Sequence, residues 1–299
     1  MIFACVPLVV FQAGLVLSWS SAFLGAILAS ETGSILRVML WRFVGVALLF
    51  TPFLYRTLRR GVTLRWWLVH GMLGALGMFA CIGLGQEAIN LGLPAGTASL
   101  IAALQPLAAA VFAGPILGER VLRGQWIGLT IGLLGVALSV GSLSSSEQLL
   151  GYLCAFGSMS CMVIATLIAK AMWDGTDLPS ALAVQAIVTA ILVVPLALRA
   201  DVFLPQLSLQ FLGALAWAIV FSTLGGYGLY YICLVRSNVV RTSSLIYLTP
   251  PVTLLWAWMM FGQPISFFTT IGFLLCLAGV YLAGGERGLA HPQARSSIP

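Results

Sequence analysis

Two stretches decide the fold: SLIAALQPLAAAVFAGPILGERVLRGQWIGLTIGLLGVALSVG, residues Ser99–Gly141, and SLIYLTPPVTLLWAWMMFGQPISFFTTIGFLLCLAGVYLAGG, residues Ser244–Gly285. Their landmarks recur at a constant offset of 144: Pro106 with Pro250, Gly118 with Gly262, Gly128 with Gly272, Gly135 with Gly279 and Gly141 with Gly285. Five glycines and prolines held in register mark a duplication. The chain divides into units at 1–142 and 143–285, and residues 286–299 form a polar tail expected to be disordered.

The two copies are apolar almost throughout. Of the 299 residues 61% are hydrophobic and 7% charged, and mean hydropathy is +1.07, whereas a soluble domain carries about 25% charged residues. A membrane span needs roughly 20 apolar residues. Cutting at polar and Gly/Pro breaks predicts ten spans, 7–29, 34–55, 66–89, 94–117, 123–141, 149–172, 178–198, 207–235, 238–261 and 266–284. Lipid offers no partner for an unpaired backbone group, and these unbroken runs lack barrel alternation, so each is expected to be a helix. The first run lacks a basic leader and is read as an uncleaved span.

The fold predicted is therefore an all-α membrane protein, ten transmembrane helices arranged as two inverted five-helix repeats. An odd number of spans per copy inserts the second copy upside down, an architecture in which two halves rock about a site between them. Eleven cations (Arg56, Arg59, Arg60, Arg65, Arg120, Arg123, Lys170, Arg236, Arg241, Arg287 and Arg295) fall on one side, against Arg37, Arg42 and Arg199 elsewhere. The positive-inside bias puts both termini in the cytoplasm, and the net charge of +6 then reports topology and no nucleic-acid partner.

The motifs WSSAF (19–23), WRF in the second span, LQPLAAAVFAGPILGER across the fourth, QWIGLTIGLLGVAL in the fifth, and the counterparts LTPP and IGFLLCLAGVYL resemble the drug/metabolite transporter superfamily, specifically its EamA-type ten-helix members. The likeness covers nearly the whole chain. It implies a secondary transporter of the inner membrane, exporting amino acids or related small metabolites, driven by a proton gradient or by exchange. A multidrug or cation efflux carrier is the alternative, and a lipid-modifying membrane enzyme a further one. The enzyme would need clustered His, Asp or Glu at membrane depth, and the chain has two histidines, one of them His291 in the tail. No Walker motif is present, so ATP drive within the chain is not expected. No metal or cofactor is expected either; the partners are a small-molecule substrate, the bilayer and, in the proton-driven version, protons, and the chain is a monomer or homodimer.

Several polar residues at membrane depth are site candidates. Arg42 lies about 12 Å into the second span at ~1.5 Å per residue, where a charge must face protein or water; Glu87, with Gln86 and Asn90, is its candidate partner and the candidate proton carrier. The alternative for this pair is helix packing. Gln105 before Pro106 corresponds to Thr249 before Pro250, and Thr242, Thr249 and Trp256 share a face. A substrate site is expected where these two prolines kink helices 4 and 9 and free backbone carbonyls; the alternative is a kink for packing alone. Trp19, near Gln12, and Tyr227, Tyr230 and Tyr231 can stack an aromatic substrate; the alternative for Tyr230 and Tyr231 is an interfacial belt, which is where Trp66 and Trp67 are expected. Glu119 is expected to cap the helix that follows it, Gly128 and Gly132 to permit a close helix crossing, and Gly225, Gly226 and Gly228 to bend the long eighth span.

Overall fold

The computed structural model describes residues 7–59, 61–91, 93, 101–119, 121–140, 149–172, 177–261 and 267–284. The tail, the 142/143 boundary, Arg120, Gln263 and Pro264 lie outside them. Ten helical segments follow in order: α1 Leu8–Glu31, α2 Ile35–Arg59, α3 from Leu64 to Asn90, α4 with its body at Gln105–Leu117, α5 Arg123–Val140, α6 Leu149–Ala171, α7 Leu178–Arg199, α8 from Leu209 to Arg236, α9 from Val239 to Phe261 and α10 Phe267–Gly284. Five of them, α2, α3, α6, α7 and α8, are each long and apolar enough to cross a membrane; shorter apolar stretches lie in α1, α4 and α10.

The repeat persists in the secondary structure. α4's body and Thr249–Phe261 of α9 have equal length and begin at 105 and 249; α5 and α10 begin at 123 and 267. Both α3 and α8 widen into a π-helix at mid-span, over Gly74–Ala80 and Ala218–Gly228, beginning again 144 residues apart. The contacts obey the same relation. α5 packs on α10, α2 on α7 and α4 on α9, each on its own counterpart; α3 on α6 mirrors α8 on α1, and α4 on α6 mirrors α9 on α1.

The α5/α10 crossing shows the inversion. A Cβ on Gly128 would sit 2.6 Å from the Gly279 carbonyl oxygen, and one on Gly135 2.7 Å from that of Gly272. Residues rise along α5 as they fall along α10, so the two equivalent helices are antiparallel. Lipid supplies no hydrophobic drive for association, and this contact relies on backbone approach and dispersion. Cys276 Sγ also donates to the Gly132 carbonyl at 3.6 Å. The same logic seats Gly74 of α3 against the Gln185 backbone of α7, 2.6 Å from a would-be Cβ.

Turn chemistry sets the helix ends. Thr63, Asp177, Ser208 and Asn238 accept from the amides three residues on, at the starts of α3, α7, α8 and α9, and Gly118, at φ 68, ends α4. Among the described residues Glu119 caps α9 and not α5: its carboxylate accepts from the Val239 amide at 3.2 Å, because α4 and the start of α9 pack together. Gln125 Oε1 serves α5 by accepting from the Leu122 amide. Two belt expectations change as well. Trp66 is buried with Leu54, Ala183 and Val184, and Tyr230 and Tyr231 are core residues; of these aromatics only Trp67 is surface-exposed, at 40%.

Candidate functional site

A cavity of about 260 Å³ lies between α1, α2, α3, α4, α6 and α8, so both halves of the chain contribute walls. Its lining residues run from the face that carries the α1–α2 turn down to mid-span at Trp19 and Tyr227; they include Trp19 and Gly25 of α1, Arg42 of α2, Gln86 of α3, Ser158 of α6, and Ser222 and Tyr227 of α8. Beneath, toward the α2–α3 turn, lie the buried Leu15, Tyr230, Tyr231 and Leu234.

Arg42 is fixed by the π-helical stretch of α8. Its Nε–H donates to Thr223 Oγ1 at 2.7 Å, and Thr223 spends its own proton on the Ala218 carbonyl, five residues back, at 3.2 Å. A π-turn widens the backbone ring and so leaves carbonyls available for side chains, which is why such turns collect at functional positions. The α3 π-helix does the equivalent: Tyr227 O–H donates to the Gly77 carbonyl at 2.7 Å. Two irregular turns, one per repeat, thus hold Arg42 and Tyr227 against the same cavity.

Aromatic rings make its floor. Trp19 lies 5.3 Å, centroid to centroid, from both Tyr227 and Tyr230, tilted packing that favours ring edges against faces. Below them Thr166 donates to the Met162 carbonyl at 2.8 Å, which leaves its oxygen to accept from Tyr230 O–H at 2.7 Å. Gln105 Nε2 donates to Tyr230 at 3.5 Å, and Tyr231 O–H donates to Gln185 Oε1 at 3.1 Å. This hydrogen-bonded layer closes the bundle.

Trp19, Arg42 and Tyr227 therefore meet at one cavity, whereas the other candidates lie elsewhere. Gln105 is buried in the closing layer. Each helix is interrupted just before its proline, by a turn in α4 and by the 3-10 segment Leu245–Leu248 in α9, and resumes with Pro106 or Pro250 in its first turn. Thr249 is buried with its hydroxyl unpartnered among the described residues. Trp256 packs edge-on to Trp217 at 6.2 Å, and no α9 residue is among the described residues that line the cavity. Glu87 lines a second cavity of about 650 Å³, shared with Arg199 between α2, α3 and α7. The two cavities adjoin through Ile35, Met39 and Gln86. Sequence reading passed over Thr223, Ser222 and Ser158; the polar pair in FSTLGGYG was the available signal, but the π-turn that aims Thr223 at Arg42 leaves no mark in the sequence.

The EamA-like transporter family matches twice, over residues 7–141 and 149–285. A probable terminal-alkyne amino-acid exporter of Streptantibioticus cattleyicolor is 30% identical over 70% of this chain and 70% of its own. A probable amino-acid metabolite efflux pump of Salmonella typhimurium is 23% identical over 77% and 80%, and the uncharacterized transporter YyaM of Bacillus subtilis 28% identical over 72% of each. One solved crystal structure superposes with a TM-score of 0.73 over 92% of this chain and 96% of that one, at 21% identity, and shares the fold.

Proposed function

Because the chain belongs to the EamA-like transporter family, and so is a membrane transporter of small molecules and not an enzyme, we propose that it exports amino acids or related small metabolites through the cavity at Arg42. The observation that carries this is the placement of one anchored cation beside Trp19 and Tyr227 in a space between both repeats. The relatives named as a probable amino-acid metabolite efflux pump and a probable terminal-alkyne amino-acid exporter favour cargo of this class.

The charge bias assigns the α2–α3 face to the cytoplasm of the inner membrane. The cavity then opens to the outside and the Tyr230–Thr166–Gln105 layer is the closed inner gate; rocking of the halves about α5/α10 and α2/α7 would exchange the two ends. Arg42 keeps its charge across physiological pH and is no proton carrier. Glu87, the carboxylate considered for that task, lines the adjoining cavity, an arrangement that favours substrate exchange over coupling at the central site.

Purified protein in liposomes, loaded with unlabelled metabolite and given the labelled one outside, should accumulate label with no pH gradient. Flux only when a gradient is imposed would overturn exchange and restore Glu87 as a coupling residue; no flux of any amino acid or related acid would overturn the cargo.

A further inference from the structure

We propose that the central cavity selects compact apolar or aromatic carboxylates of net charge −1 over zwitterions and cations. This rests on the cavity being the substrate site, and it narrows the proposed cargo from amino acids in general to their anionic relatives, deaminated or N-acylated acids. Among the described lining residues Arg42 alone is charged at neutral pH, and none of them is a carboxylate. Its Nε is committed to Thr223, and the terminal nitrogens have no other hydrogen-bond partner among the described residues. Anchoring at Nε leaves the planar fork for a ligand, and two parallel N–H donors match a carboxylate bidentately.

Nothing comparable awaits an ammonium. Ser158 and Tyr227 give their protons to the Cys81 and Gly77 carbonyls and keep oxygens that can accept from an ammonium, but these, like Gln86 and Ser222, are neutral, and no carboxylate is among the described lining residues. The rings of Trp19 and Tyr227 can attract a cation through their faces, but that attraction must compete with Arg42 across the same small space. A charge moved from water into a poorly hydrated site needs an opposite charge to offset its lost hydration. An anion satisfies that condition for itself and for Arg42 at once; a zwitterion brings an ammonium with no carboxylate to meet it, and a cation meets only repulsion.

The test holds shape nearly constant and varies charge: 3-phenylpropanoate and N-acetylphenylalanine (−1), phenylalanine (0) and phenylalaninamide (+1), each offered to the full chain in liposomes preloaded with the same compound. The anions should exchange at least tenfold faster than phenylalanine, with phenylalaninamide at background. In Arg42→Gln, if it folds, the preference should vanish. Phenylalanine or its amide moving as fast as the anions overturns the inference. If none of the four moves, the transport reading fails at these compounds, and thermal stabilisation in detergent still decides the charge question: stabilisation by the anions and not by phenylalaninamide supports the inference, while equal stabilisation, or none by the anions, overturns it.

Discussion

A single hydrogen bond, from its Nε–H to Thr223 Oγ1, holds Arg42 at the cavity wall. Depth in the second span identifies it from sequence, because a charge some eight residues past the turn has to be met by protein or water; its acceptor, Thr223, is set by the π-turn of α8 and follows from no spacing rule. Asp177 is the opposite case, fully expressed in local sequence. It caps α7, accepting from the Ser180 amide at 3.1 Å and from the Thr57 hydroxyl at 2.8 Å. Partial burial raises its pKa, but the hydrogen bonds from Ser180 and Thr57 outweigh burial and hold it below the usual 3.8. A carboxyl depressed in the folded state adds stability above its unfolded value that is lost as pH falls through the folded one. Thermal unfolding in detergent should therefore show a drop in stability below about pH 4 that is smaller in Asp177→Asn, and Asp177→Ala should lose about 0.5–2 kcal/mol at neutral pH. An unchanged acid profile in Asp177→Asn would remove this role.

Helix ends are well specified by sequence and helix interiors much less so. Gly118, Thr63 and Ser208 stop and start helices by turn chemistry that acts over three or four residues. The π-turns at Gly74–Ala80 and Ala218–Gly228 depend on what packs across them, here Tyr227 on Gly77 and Arg42 on Thr223. Tyr230 and Tyr231, which follow the α8 π-turn, lie in the core. At the α5/α10 crossing the glycines have no slack. Gly279→Val would put a Cβ 2.6–2.7 Å from the Gly132 and Gly128 backbones, and since neither backbone can yield like a side-chain tip, the cost should be about 1–3 kcal/mol. Lower thermal stability in detergent is the expected outcome, whereas Gly71→Ala, with open space around it, should be neutral. Equal melting of both variants would mean that the crossing is not close-packed.

At the scale of the molecule, the duplication was readable because glycine and proline mark backbone requirements, and both copies keep them in register. The site was readable only in part. Trp19, Arg42 and Tyr227 share the cavity, but an expectation centred on the prolines of α4 and α9 led toward Gln105, Thr249 and Trp256, which pack outside it. A carrier alternates between states, and the helices lining its cavity in one state are not those named by symmetry alone; here α1, α2, α3, α6 and α8 dominate the walls. The central claim is that one chain, folded as an antiparallel pair of repeats, moves a carboxylate-bearing metabolite past Arg42. Labelled-metabolite exchange in liposomes, wild type beside Arg42→Gln matched for expression and detergent stability, tests it most directly. We expect exchange by the wild type to fall to background in the variant, at least a tenfold loss; undiminished exchange in a well-folded Arg42→Gln protein would contradict the account and return Arg42 to helix packing.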